Sequence, residues 1–253
     1  MLDTIAELTN LTPTQFGICV TVVFFAGMVR GFSGFALSAL LMAGLAVMIP
    51  PVELLPICWL MEFVASLAMV RGGVREADFK IVSGLTIGGM IGSPIALYFT
   101  NTMPADMSRL IALGIILVLA SLQLARVRAR FLATNPGLYG SGFLAGTATG
   151  FAGVGGMVVA LYVLAREAPA RIMRGSLVMY LFISNVITSV YYLAYGMMTA
   201  EAMTRGALLV VPCLLGVWAG QALFRPSLEK YYRPFCLILL VGLAVFGIVV
   251  LVT

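Results

Sequence analysis

The chain has 253 residues, of which 62% are hydrophobic and only 10% charged, with a formal net charge of +5 and a mean hydropathy of +1.09. Soluble domains carry about 25% charged residues, so this chain lacks the polar surface to face water and must present its outside to lipid. Histidine is absent, which removes the commonest general base and metal ligand. The basic residues sit in short loops between apolar runs, where membrane topology accounts for them and nucleic acid does not.

Residues 1–15 contain Asp3 and Glu7 and no basic residue, so no signal-peptide n-region is expected and the first apolar run belongs to the mature protein. Eight apolar segments follow, over 15–49, 52–71, 79–100, 108–126, 137–165, 176–195, 204–224 and 233–252. A spanning helix needs about 20 residues. Six segments fit one pass, while 15–49 and 137–165 are too long. The first long segment carries Arg30 and reads Gly27-Met28-Val29-Arg30-Gly31-Phe32-Ser33-Gly34. Segment 52–71 has Glu62 at its centre, and 79–100 contains Pro94. The second long segment reads Gly146-Thr147-Ala148-Thr149-Gly150-Phe151-Ala152-Gly153, followed by Val154-Gly155-Gly156. Segment 176–195 is centred on Asn185, in a polar stripe with Ser184, Thr188 and Ser189; 204–224 contains Pro212. Proline at these positions, and Pro56 before them, predicts kinked helices. Trp59 and Trp218 lie within spans and read as packing residues. Cys19, Cys58, Cys213 and Cys236 each lie in an apolar run without CxxC spacing, so they read as small buried hydrophobes and neither a metal site nor a disulfide is signalled.

The pattern GxxxGFxG recurs 119 positions later, from Gly31 to Gly150. Gly92 with Gly220, Arg109 with Arg233, and Glu62 with Asn185 keep a similar spacing. Two homologous halves, 1–131 and 132–253, are therefore expected within one integral membrane domain. If all eight segments crossed once, the loop cations would divide evenly between the two faces. If 137–165 enters and returns, Arg71, Arg75, Lys80, Arg126, Arg128, Arg130, Arg166, Arg171, Arg174, Arg225, Lys230 and Arg233 share one face. Only Arg109 and Arg205 then face the other side, a strong cytoplasmic bias. Homology extends the hairpin to 15–49. The expected fold is all-α and polytopic: two inverted repeats, each a broken or re-entrant helical hairpin plus three transmembrane helices, both termini on the periplasmic side of a bacterial inner membrane.

Glycine-rich breaks at membrane depth free backbone N–H groups that can hold an anion. Gly31, Phe32, Ser33 and Gly34 from one hairpin, and Gly150, Phe151, Ala152, Gly153, Val154, Gly155 and Gly156 from the other, are candidate substrate-binding residues; the alternative for each GxxxG is close helix packing. Arg30 beside the first break is costly in a membrane, so it either pairs, lines a pathway or marks a cytoplasmic hairpin tip. Its fork suits the oxygens of a sulfonate, sulfite or carboxylate. Glu62 is a candidate coupling residue through protonation, or a salt-bridge partner of Arg30; the two roles are compatible if protonation breaks the pair. Asn185 completes the candidate set.

The paired halves with the Gly31-Phe32-Ser33-Gly34 and Gly150-Phe151-Ala152-Gly153-Val154-Gly155-Gly156 breaks resemble the sulfite exporter TauE/SafE family of bacterial permeases, over nearly the whole chain. Where the family pattern runs to a glycine triplet, Gly155-Gly156 is followed here by Met157. The resemblance implies movement of sulfur oxyanions or organosulfonates, often outward, with Gly31, Gly34, Gly150, Gly153, Gly155 and Gly156 forming the site. The expected protein is a secondary transporter that rocks one repeat against the other, without a cofactor. Its expected partners are a small anion and the bilayer, and a homodimer is admitted. A passive channel of the same fold is the alternative; a membrane-embedded enzyme is disfavoured, since Glu62 is the only acid well inside a span.

Overall fold

A computed structural model describes residues 9–127, 134–166, 170–223 and 229–252. Arg128, Arg130 and Arg225, and the expected 131/132 boundary, lie outside the described residues. Among the described residues ten helices follow in order: α1 Pro13–Ser33, α2 Leu37–Leu45, α3 Pro51–Glu76, α4 Phe79–Thr102, α5 Ala105–Leu124, α6 Asn135–Ala152, α7 Gly155–Ala165, α8 Ala170–Ala194, α9 Ala200–Leu223 and α10 Glu229–Val252. The order long, short, long, long, long thus occurs twice.

Local chemistry sets the helix ends. Thr12 and Gln15 form a reciprocal capping box ahead of Pro13. Asp78 accepts from the first amides of α4, and Thr134 caps α6. Both long apolar segments break at a left-handed glycine, Gly34 (φ 81°) and Gly153 (φ 70°), a conformation that ends a helix at no Cβ cost.

Seven of the described helices are long and apolar enough to cross a membrane: α1, α3, α4, α5, α9 and the Arg174–Ala194 and Pro234–Val252 parts of α8 and α10. α2 and α7 are half-length and turn back beside their partners. A Cβ on Gly44 would lie 3.1 Å from a Val22 methyl, so the end of α2 sits beside the first half of α1. Leu161 of α7 lines one cavity with Ser141 and Leu144 of α6. Both long segments are therefore broken hairpins.

The helix directions follow from side-chain pairs. Trp59 reaches Asn185, Phe63 stacks on Phe182, and Gly73 faces Val178 and Met179, so α3 and α8 run antiparallel. Gly27 and Gly31 meet Cys213 and Val217, so α1 and α9 run parallel. Gly88 and Gly92 meet Tyr139 and Phe143, so α4 and α6 run parallel as well. Exchanging the first five helices with the last five maps the α1–α9 pairing onto α4–α6 and the α3–α8 pairing onto itself. With these directions Arg109 and Arg205 lie at the end of the bundle opposite Arg71, Arg75, Lys80, Arg166 and Arg174.

The α1–α9 and α4–α6 seams are backbone on backbone. A Cβ on Gly27 would lie 2.5 Å from the Cys213 carbonyl oxygen, and one on Gly31 or Gly92 would overlap a carbonyl of the facing helix. Hydroxyls tie the second seam: Ser93 donates to Gly146 O (3.2 Å) and Thr100 to Gly150 O (2.9 Å). Pro94 leaves the Met90 carbonyl without its helical donor, and the Tyr191 hydroxyl takes it at 3.1 Å. Outward faces are apolar, with Phe246 65% and Val190 62% exposed. Trp218, expected to pack internally, is 56% exposed on this lipid-facing surface, because the opposite face of α9 is occupied by its seam with α1.

Replacing Gly31 or Gly92 by alanine should split a seam and lower folded yield severely. Gly242→Ala, with nothing within 4 Å of a new Cβ, should be neutral. Monodisperse yield after detergent extraction checks all three.

Candidate functional site

Arg30 lies in the last turn of α1 and is fully buried, with 0% of its surface exposed. It stands beside the turn of the first hairpin, but enclosed rather than facing solvent. Its Nε faces Glu62 Oε2 at 3.3 Å, a contact of charge on charge that lacks hydrogen-bond geometry. Its Nη2 donates to Ser66 Oγ at 2.8 Å, and its Nη1 donates to the Gly34 carbonyl. Glu62 in the middle of α3 is also buried, and its Oε1 accepts from the amide (3.2 Å) and hydroxyl (2.9 Å) of Ser38.

Helix ends explain this arrangement. The carbonyl end of α1 carries partial negative charge and the amide end of α2 partial positive charge. The first break places both in one buried volume, where Arg30 complements the former and Glu62 the latter. Arg174 of α8 adds a second cation, donating to the Gly31 carbonyl at 2.8 Å. Ser33 Oγ lies within donating distance of both the Val29 and the Phe35 carbonyl, 2.8 Å from each. The Arg30 and Gly31 carbonyls at the end of α1 are thus taken by the Gly34 amide and Arg174. A cavity of about 200 Å³, lined by Met69, Gly72, Glu76, Arg174, Gly175 and Gln221, adjoins this break.

Each break is narrower than its motif. Gly31, Phe32 and Ser33 remain helical, and the left-handed residues are Gly34 and Ala36. Gly150, Phe151 and Ala152 remain in α6, Gly153 is left-handed, Val154 is the N-cap of α7, and Gly155 and Gly156 open α7. Gly150 is a packing glycine against Ser93, Ala96 and Leu97. The two breaks do approach each other: a Cβ on Gly153 would lie 3.6 Å from Ser38 Cβ. Ser38 therefore links the second break to the Arg30–Glu62 pair.

Asn185 is not the counterpart of Glu62. Arg30 aligns with Thr149 through the GFxG repeat and touches Glu62 and Ser66, four residues apart on α3. Thr149 lies beside Tyr180 and Ser184, four residues apart on α8, so Tyr180 takes the Glu62 position. The Asn185 carbonyl instead accepts from Trp59 Nε1 at 2.9 Å, and its Nδ2 is buried without a partner. Ser38, Ser66, Thr149, Arg174 and Tyr180 were not expected at the site. Ser66 had a signal, since it lies one turn beyond Glu62; the others meet only through tertiary contacts.

Arg205, at the opposite end, donates from Nη1 to Glu53 (2.7 Å) and from Nε to Thr9 O (2.6 Å), and it also pairs with Glu201. This cluster ties the start of α9 to α3 and the N-terminal segment.

Removing one member of the buried pair should cost about 3–5 kcal/mol, because it strands a charge. Arg30→Met and Glu62→Leu should each destabilise strongly, and the double variant less than the sum of the two. Denaturation in detergent checks the cycle; additive losses would mean the pair is not coupled.

Residues 19–247 match the family model described as sulfite exporter TauE/SafE. Comparisons with curated proteins and with solved structures give no match. With the match extending over nearly all of the ten-helix bundle and both of its breaks, the chain belongs to the sulfite exporter TauE/SafE family of membrane transporters.

Proposed function

We propose that the protein is a secondary transporter that exports a small sulfur-containing anion, such as sulfite or an organosulfonate, across the bacterial inner membrane, with Glu62 carrying a coupled proton. The two halves, 1–131 and 132–253, act as inverted repeats, and the anion binds between the two breaks. One observation carries this function: a membrane-buried Arg30–Glu62 pair that also occupies the amide end of α2. While Glu62 is ionised, Arg30 is saturated and a substrate anion meets no unpaired charge. When Glu62 takes a proton, Arg30 and the first amides of α2 lose their anion and attract one from solution. The titratable groups around Glu62 are Arg30 of α1, Cys58 of α3 and Cys213 of α9. Proton and monovalent anion then cross together as a neutral pair, so net exit proceeds when the outward anion gradient exceeds the inward proton gradient.

In proteoliposomes an outside-acid pH gradient should drive uptake of labelled sulfite. Glu62→Gln should retain anion exchange and lose the pH-driven net flux, because the site no longer returns empty as a neutral pair. Arg30→Lys, which keeps the charge but loses the fork, should weaken binding and Arg30→Ala abolish it. Wild-type flux that never concentrates anion against a gradient would mark a passive channel. The helix directions and the basic bias support an orientation with both termini in the periplasm. A reporter active only in the cytoplasm should be silent after Thr253 and active when inserted within 128–133; the reverse pattern refutes this orientation.

A further inference from the structure

We propose that Thr149, Tyr180 and Ser184, with the first amides of α7, form a neutral oxyanion-binding subsite in the second half of the molecule. It rests on the carrier function proposed above and names the part of the site that recognises the substrate oxygens.

The first half shows how this fold holds an anion. Glu62 is received by the amide end of α2, by Arg30 at the end of α1, and with Ser66 one turn further along α3. The second half repeats the frame with different side chains. Thr149 replaces Arg30, Tyr180 replaces Glu62 and Ser184 replaces Ser66. A donor thus stands where the first half has a carboxylate.

Three observations converge on this place. Tyr180 is 1% exposed, and its hydroxyl lies beside those of Thr149 and Ser184 without a hydrogen bond of good geometry. Buried hydroxyls are normally satisfied, and leaving one unsatisfied costs about 1–3 kcal/mol. The amide end of α7 has no capping side chain, since its N-cap is Val154. Thr149 Oγ1 occupies the space where a Cβ on Gly155 would lie, so Thr149 stands against that helix end with Tyr180 next to it. The Thr149 hydroxyl hydrogen is committed to the Ala145 carbonyl at 2.8 Å, which also borders Gly155, and this leaves Tyr180 and Ser184 as the hydroxyl donors. Donors and a positive helix end without a fixed acceptor suit a small sulfur oxyanion, whose oxygens accept several hydrogen bonds at once. With no fixed positive charge the subsite selects by hydrogen-bond geometry and lets the anion go, while the Arg30 half supplies the charge.

The experiment measures KM and maximal rate for labelled sulfite, sulfate and methanesulfonate in proteoliposomes, with thermal melts of each variant. Tyr180→Phe and Ser184→Ala should each raise KM about tenfold or more for the transported anion, the loss of one hydrogen bond to a charged ligand. Melting temperature and the pH dependence set by Glu62 should stay unchanged. Tyr195→Phe, whose hydroxyl donates to the Pro94 carbonyl, is the control phenol and should leave KM alone. Unchanged KM in both variants overturns the subsite and leaves the carrier function standing. A fall in maximal rate or melting temperature without a KM change assigns these hydroxyls to packing and also overturns it. If Tyr180→Phe does not fold, Ser184→Ala decides by the same readout. Wild-type protein that moves none of the three anions refutes the carrier function, and the subsite with it.

Discussion

The buried pairing of Arg30 with Glu62 is the constraint around which the first half is arranged. A guanidinium with no exposure to solvent is tolerable only with its charge answered and its donors occupied. Here Glu62, Ser66 and the Gly34 carbonyl share that task. The carboxylate is itself held by Ser38 at the start of α2. Three helices therefore converge on one ion pair, and the chain must break at Gly34 for α2 to present its amide end there.

The second half keeps the backbone of this arrangement and replaces its charges by hydroxyls. One half of the bundle thus carries a buried ion pair at its break and the other does not. That asymmetry is invisible in the helix order, which is alike in both halves, and resides in Thr149 and Tyr180.

Much of the architecture was legible from periodicity of larger scale than a helix. Two apolar runs too long for one pass, each with a GFxG motif, located both breaks to within three residues, and the distribution of arginines implied that 137–165 returns to the face it leaves. The pairing of Arg30 with Glu62 was open as one of three roles, because hydropathy does not say which way a helix faces. Asn185 was matched to Glu62 from its position at the centre of an apolar run. The register of α8 is instead set by contacts with α3 and α6, which bring Tyr180 to that place. Trp218 failed for a related reason: a tryptophan in a span looks internal until the glycine seam shows which face of α9 is taken.

The seams also interlock the two sets of five helices. The backbone-on-backbone approaches of α1 to α9 and of α4 to α6 each join one set to the other. The α3–α8 contact does the same with side chains at its middle, where Phe63 stacks on Phe182 and Trp59 donates to the Asn185 carbonyl, and with backbone at its end, where a Cβ on Gly175 would lie 2.8 Å from the Glu76 carbonyl carbon.

The same interlocking bears on how the protein is made. Ribosomes deliver α1 first and α9 second to last, so the glycine face of α1 has no permanent partner until some 180 residues later are in the bilayer. Arg30 leaves the ribosome before Glu62 does. The nascent first helix must therefore be held by the insertion machinery or by lipid headgroups until α3 arrives. A ribosome stalled after α5 would leave five helices with the charge answered but the glycine faces of α1 and α4 open to lipid, a natural substrate for membrane quality control.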